Sequence, residues 1–408
     1  MIKKIVIPLI LLLIVSCKKE KAPTVSLQDD VYFLASDSLR GRETGTAYEL
    51  KAAQYIMQRM KDLHLDPAGD SASYYQTFSF KPKKDPHQEA TYVSSDSSIT
   101  GTNIMGYWDN NAENTIIIGA HYDHLGMGGE GSLHREGPAI HNGADDNASG
   151  VAVMLQLADS LTNSQDKNHN YLFMAFSGEE IGLLGSNYFA KNPTIDLARV
   201  NYMINMDMVG RLREDKTLSV SGTGTAPIWN QVLNASNLGF KLALKESGVG
   251  PSDHTSFYLQ DLPVLHFFTG QHEDYHKPTD DAEKLNYEGM QMIVGYITSV
   301  ISELDDDPKL VFKKTKNESE EVPRFKVALG VVPDYLFDGK GMRIDGVSED
   351  KPAQKAGLLK GDIVIQLGDS TVVDMMSYMR ALSTFEEGNS TKVIVDREGK
   401  KVEVDITF

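Results

Sequence analysis

The chain has 408 residues, 41% of them hydrophobic and 24% charged, with 34 glycines and 15 prolines. Those shares exclude collagen-like, low-complexity and wholly disordered classes, and the length predicts two or three domains with cores that need no disulfide staples. With 40 basic residues against 57 acidic ones the formal charge is −17, a surface that repels phosphate backbones, so no nucleic-acid partner is expected.

Lys3 and Lys4 precede an apolar run, Ile5 to Val15, that is too short for a comfortable membrane span. Small residues then lead to Cys17, the only cysteine in the chain. This pattern resembles a bacterial lipoprotein signal over residues 1–17, in which Cys17 is lipidated and becomes the mature N-terminus. The resemblance implies a cell-envelope protein, facing the periplasm or the cell exterior and held to the membrane by its lipid alone. No thiol then remains for a disulfide, a nucleophile or a thiolate metal site. Residues 18–26 (KKEKAPTVS) read as a polar tether.

From residue 27 to 304 strand and helix signals alternate. Thr44 to Leu65 carries apolar residues at helical spacing, Leu50, Ala53, Ile56, Met57, Met60 and Leu63. Apolar runs of strand length follow at Thr115 to Ala120, Tyr171 to Phe176, Tyr202 to Met206 and Pro263 to Phe268. Helices are predicted at Ser149 to Leu161 and Tyr287 to Leu304. The alternation predicts an α/β sandwich with a mostly parallel sheet. Residues 305–323 (DDDPKLVFKKTKNESEEVP) read as a charged linker. Residues 324–408 form a separate, small, strand-rich domain, with runs at Met342 to Val347, Ile363 to Leu367, Lys392 to Val395 and Val402 to Phe408, and a helix near Met375 to Thr384.

The chemistry lies where the apolar strands end. The first runs into His121-Tyr122-Asp123-His124, the second into Ser177-Gly178-Glu179-Glu180, and the third is followed at once by Asp207. The fourth leads through a loop to Tyr275-His276, and Gly143 to Gly150 (GADDNASG) opens a helix between the first two. Ligands of α/β sheets bind beyond the carboxyl ends of the strands, so five segments deliver His, Asp or Glu to one edge. Two divalent ions a few ångströms apart need terminal ligands on each side and a carboxylate between them. Imidazole and carboxylate without thiolate suit a catalytic zinc site with an open position. Asp123 can supply the acceptor that orients His121, and adjacent glutamates can divide metal binding from proton transfer.

AHYDH, NGADDNASG, FSGEEIGLLGS, NMDMVG, SDHTSF and YHKPTDD together resemble the co-catalytic di-zinc aminopeptidases of peptidase family M28. Phe33 to Ile56 (FLASDSLRGRETGTAYELKAAQYI) resembles the family's N-terminal stretch, so the likeness spans most of residues 27–304. It implies a three-layer α/β/α sandwich and two zinc ions, with cobalt or manganese as alternatives. By the family pattern Asp146 bridges the ions, His121 and Asp207 complete one site, and Glu180 and His276 complete the other. Asp145 is a neighbour and not a ligand. Glu179 is the implied general base, Asp123 the orienter of His121, and Tyr275 a donor to the oxyanion. Peptides are the implied substrates, cleaved at their N-termini. The runner-up readings are a carboxypeptidase or dipeptidase of the same family, or an adaptor with a vestigial metal site. Glutaminyl cyclases belong to the same family, but the complete ligand set favours a peptidase.

Gly126 to Gly131 matches G-x-G-x-x-G, yet no helix pattern opens there. A mobile loop near the metal site, or an exposed hairpin, is the better reading. Asp253-His254 is divided between function and packing, and His124, His134, His141, His266 and His272 have no assigned role.

Ala328-Leu329-Gly330-Val331, followed by Ala353 to Leu358 and Gly361-Asp362, resembles a PDZ domain of bacterial proteases. The resemblance makes Leu329, Gly330 and Val331 the loop whose backbone amides capture a peptide carboxylate, with packing on the catalytic domain as the alternative.

Overall fold

The computed structural model describes residues 25–81, 91–93, 98–129, 131–316, 326–334, 337, 339–348 and 351–408. The signal read at residues 1–17 with Cys17, most of the tether and residues 317–323 of the linker lie outside the described residues.

In chain order the first element is α1 (Leu27–Leu34), started by a reciprocal cap between Ser26 and Asp29. Next comes α2 (Ala47–Asp62), capped by Thr46. The strands β1 (Asp66–Pro67), β2 (Tyr75–Lys81), β3 (Thr91–Tyr92), β4 (Ile99–Trp108) and β5 (Asn114–His121) follow. Then α3 (Gly150–Thr162), β6 (His169–Phe176), α4 (Leu184–Lys191), β7 (Val200–Met206), β8 (Thr217–Ser221), α5 (Trp229–Ala235) and β9 (Lys241–Lys245) alternate. The first body closes with α6 (His254–Tyr258), β10 (Val264–Phe268) and α7 (Tyr287–Glu303).

These strands form one mixed sheet in the order β3-β2-β4-β6-β5-β7-β10-β8-β9, with β1 on β4. Its centre, β6-β5-β7-β10, is parallel. The flanks are antiparallel, β4 against β6 and β8 against β10. The centre is the part that reads as continuous apolar runs, because both of its faces are covered. Ile116 and Ile118 face a cluster built on α1, α3 and α7, whereas Ile117 between them faces Phe189 of α4 and Phe257 of α6. That two-residue alternation makes the three layers. Between sheet and outer helices, α3 is apolar nearly all round, with Val151, Met154, Leu155 and Leu161 fully buried. Among the described residues no helix is long and apolar enough to cross a membrane.

The second body holds β11 (Val331–Pro333), β12 (Met342–Val347), α8 (Pro352–Lys355), β13 (Ile363–Leu367), β14 (Ser370–Thr371), α9 (Met375–Leu382), β15 (Ser390–Arg397) and β16 (Lys400–Thr407). Its sheet runs β11-β12-β13-β15-β16, with β14 on β13, around its own core of Leu329, Ile344, Val364, Val393 and Val395.

Candidate metal centre

Because β5, β6 and β7 are parallel neighbours, their carboxyl ends lie side by side. His121 ends β5 opposite Phe176 of β6, so the Ser177–Glu180 turn leaves the sheet beside it. Asp207 follows the last residue of β7. Asp146 comes from the turn before α3. The turn begins at Gly143, whose φ of +56° and whose position 2.2 Å (as a built Cβ) from the Asp146 carbonyl leave no room for a side chain. His276 arrives on the loop after β10.

The side chains lie close together. Asp146 Oδ1 lies 3.3 Å from His121 Nε2, and Asp146 Oδ2 lies 3.2 Å from His276 Nε2. Asp207 Oδ1 is 3.5 Å from His121 Nε2, and Glu180 Oε2 is 3.2 Å from His276 Nε2. Both imidazoles are aimed by their other nitrogen. Nδ1 of His276 donates to the Gly131 carbonyl at 2.9 Å, and Nδ1 of His121 to the Asp123 carbonyl at 3.3 Å, which turns each Nε2 lone pair inward. Gly131, the last glycine of the G-x-G-x-x-G match, thus helps to hold a histidine in place.

This donor set fits divalent ions. Nitrogen and oxygen ligands at about 2.1 Å around a tetrahedral ion sit roughly 3.4 Å apart, close to the four separations above. His121 Nε2 is buried with no hydrogen-bond partner. Two groups of metal-capable atoms emerge, His121 with Asp146 and Asp207, and His124 with Asp146 and Glu180. In the second, His124 Nδ1 is engaged by Glu180 Oε1 at 2.5 Å, so His124 aims the glutamate while His276 sits between both carboxylates.

The charges of these side chains sort themselves. Burial lowers the His276 pKa, but Glu180 and Asp146 outweigh it and push it up to about 11. Burial and Asp146 raise Glu180, yet His276 and His124 bring it down to about 2. Its neighbour Glu179 moves the other way, raised well above the usual carboxylate range by burial. Adjacent glutamates with opposite shifts are suited to different tasks.

Around these groups stands a supporting shell. Asp123 accepts from the Glu179 backbone N–H at 3.1 Å and from Thr44 Oγ1 at 2.9 Å. Its carboxylate is 3.7 Å from His121 Nδ1, so it fixes the glutamate turn and its backbone carbonyl orients the ring. Asp145 points away, accepting from Gly210 N–H at 2.6 Å and lying 3.2 Å from His272 Nε2. Asp280 accepts from the backbone N–H groups of Asp145 and Asp146 at 2.9 and 3.1 Å. Tyr275 stacks on His276 with ring centroids 3.8 Å apart. Burial and the surrounding carboxylates raise its pKa, so its hydroxyl stays a donor. A cavity of about 270 Å³ opens onto Asp146, Glu179, Glu180, Asp207 and Tyr275.

The sequence reading did not assign His124, His272, Asp280, Arg42 or Glu49. His124 closes the AHYDH motif three residues after His121 and was open to discovery there; the others act across long stretches of chain. Asp253 and His254 are fully buried beneath the site. In the second body Leu329 is buried, and the Gly330 carbonyl accepts from Ser348 N–H. Val331 begins β11, the edge strand of its sheet.

A three-layer sandwich that gathers histidines and carboxylates at the carboxyl edge of its parallel strands has the architecture of the zinc aminopeptidases. A solved zinc aminopeptidase from Bacillus subtilis superposes with a TM-score of 0.52 at 18% identity, over 72% of this chain and 97% of that one. A glutaminyl cyclase from Bacteroides thetaiotaomicron does so at 0.53 and 17%, over 68% and 98%. In sequence, residues 103–301 match the model of peptidase family M28, and residues 312–408 that of the PDZ domain. Aminopeptidase YwaD of Bacillus subtilis (strain 168) is 29% identical over 206 residues, 47% of this chain and 45% of the relative. The chain spans about half the length of the curated relatives it matches. The two matches lie in chain order, the region similar to peptidase family M28 before the region similar to a PDZ domain.

Proposed function

We propose that the chain is a metal-dependent exopeptidase that removes residues from the N-termini of peptides, tethered to the bacterial envelope through Cys17. The observation that carries this reading is Asp146, whose two oxygens face His121 and His276 with Glu179 alongside. His121, Asp146 and Asp207 would hold one zinc ion, and Asp146, Glu180 and His276 the other. When bound, such ions supply Lewis acidity and lower the pKa of water.

The chain's own residues do the rest. Glu179 accepts the proton of the attacking water and hands it to the leaving amine. The Tyr275 hydroxyl donates to the oxygen that gains charge as the carbonyl becomes tetrahedral. The acidic end of the cavity favours the free α-ammonium of a peptide N-terminus, which separates this reading from a carboxypeptidase. In the PDZ domain the Leu329–Val331 loop and the edge of β11 take a peptide carboxylate and add its strand.

One comparison tests the main reading. Zinc-loaded protein is offered a peptide with a free amine and its N-acetylated twin. Hydrolysis of the free form alone is expected; equal hydrolysis of both, or release from the C-terminus, overturns it.

A further inference from the structure

The loop after β10 sends its side chains to different tasks. Gln271 and Tyr275 line the cavity, and His276 faces Asp146 and Glu180. Asp274 accepts from Thr279 Oγ1 at 2.6 Å, Lys284 Nζ at 2.7 Å and the Arg211 guanidinium at 2.6 Å, which anchors the middle of the loop. His272 faces Asp145 and Asp280 instead.

Nδ1 of His272 accepts from the Asp274 backbone N–H at 3.3 Å. That places the ring proton on Nε2, which lies 3.2 Å from Asp145 Oδ2 and 4.0 Å from Asp280 Oδ1. The three residues are 9%, 0% and 0% exposed, and none of these three atoms has a hydrogen-bond partner outside the group among the described residues. The approach to Asp145 is close but not linear, so the one N–H serves the two carboxylates together.

Both carboxylates are committed on their other oxygen. Asp280 Oδ2 accepts from the backbone N–H groups of Asp145 and Asp146, and Asp145 Oδ1 from that of Gly210, three residues after Asp207. They brace the Asp146 turn and the chain leaving Asp207 as one unit. His276 stands between two braces to that unit, His272 four residues before it and Asp280 four residues after it. Its other contacts, Nδ1 to the Gly131 carbonyl and its own carbonyl to the Leu133 N–H, lead to the glycine-rich stretch and not to the Asp146 turn.

We infer that His272 is a positioning residue for the metal ligand His276: with Asp280 it clamps the ligand loop, on both sides of His276, to the turn that bears Asp146. The inference rests on the metal-dependent reading above and adds to it the group that sets the fit of the His276 site. His121 and Asp207 need no such clamp, because they sit at the ends of the paired strands β5 and β7. The effect of His272 therefore falls on one metal site and spares the other.

The test titrates cobalt into the metal-free full chain and follows the visible absorption of the bound ion. Wild type is expected to take up two equivalents. In His272→Ala the first equivalent should bind within about threefold of wild type, while the second weakens about 10–100-fold and its band changes, the usual cost of losing an outer partner of a ligand. His272→Gln keeps a donor near the place of Nε2 and should recover most of the loss. His272→Leu fills the space without a donor and should not. Circular dichroism of the metal-free variants shows that they fold; if His272→Ala does not, the comparison of Gln with Leu decides. Equal weakening of both equivalents overturns the inference by making His272 a merely structural residue. Unchanged binding in His272→Ala, or Leu recovering as much as Gln, overturns it too and leaves the two-metal reading standing. If wild type itself takes up no second equivalent, that reading falls and the inference falls with it.

Discussion

The Arg42 guanidinium donates to the Gly143 carbonyl at 3.0 Å, and so ties the N-terminal segment to the turn that presents Asp146. It also donates to the carbonyls of Tyr122 at 2.8 Å and Asn142 at 2.7 Å, and to that of Leu34. One side chain, 1% exposed, thus joins the His121 turn to the Asp146 turn. Burial lowers its pKa to about 10, opposed by Asp123 and Asp146, so it remains a cation at neutral pH.

Arg42→Met should therefore destabilise the domain and weaken zinc binding together. Each buried carbonyl left without a donor costs about 1–3 kcal/mol. A total near 4 kcal/mol corresponds to a Tm loss of roughly 10 °C for a domain of this size. Arg42→Lys should recover less than half, since an ammonium lacks the planar fork. Calorimetry and zinc titration check this; a Tm within about 2 °C of the parent would refute it.

Glu179 and Glu180 are neighbours with opposite electrostatics, and their variants should separate accordingly. Glu179→Gln is expected to keep two zinc ions per chain and lose about 10²–10⁴-fold in kcat. Asp146→Asn should lose metal as well as activity, because a neutral amide cannot serve two cations. Metal analysis alongside turnover distinguishes the two. Wild-type-like turnover in Glu179→Gln removes that residue from proton transfer.

The strands that carry the site were legible because they are covered on both faces and read as unbroken apolar runs. Their edge companions were not. In β2 buried Gln76, Phe78 and Phe80 alternate with more exposed neighbours, and β9 keeps both end lysines in solvent, so neither offers such a run. His121, Glu180 and Asp207 stood out because they sit at or just past strand ends, Asp146 because its turn opens a helix, and His276 only through the YHKPTDD match. Arg42 and Glu49 lay in a stretch matched only by resemblance. Their partners are about 100 and 128 residues away, and no local period records such a contact. The mixed character of the sheet has the same origin, since only its parallel centre is buried enough to announce itself.

The two bodies meet through charge. Arg213 pairs with Asp334 at 3.3 Å and Asp345 at 3.0 Å, and Lys360 lies 3.4 Å from Glu273, on the loop that carries Tyr275 and His276. Partly exposed pairs of this type contribute at most about 1 kcal/mol each and are screened by salt. Arg213→Glu should thus enlarge the radius of gyration seen by small-angle scattering at low salt. The wild type should approach the same dimension near 1 M salt. Identical dimensions in all three samples would dispose of the latch.

Glu49 of α2 is fully buried, accepting from the Gly45 N–H at 2.6 Å and from Ser177 Oγ, two residues before Glu179. Burial raises its pKa to about 8, although both hydrogen bonds oppose the rise. The native state therefore holds a proton at neutral pH that the unfolded chain, with a carboxyl near 4.5, has released. A raised acid contributes its full stability below the unfolded pKa and loses it as pH climbs through the folded one. Glutamine at this position can accept from Gly45 and donate to Ser177 without titrating. The stability of wild type relative to Glu49→Gln should accordingly fall between pH 5 and 9 by up to a few kcal/mol, at about 1.4 kcal/mol per pKa unit. Calorimetric Tm values of both proteins across that range check the sign. A difference that stays flat, or grows with pH, would mean that Glu49 is ionised in the folded protein and that Ser177 is held by a charge.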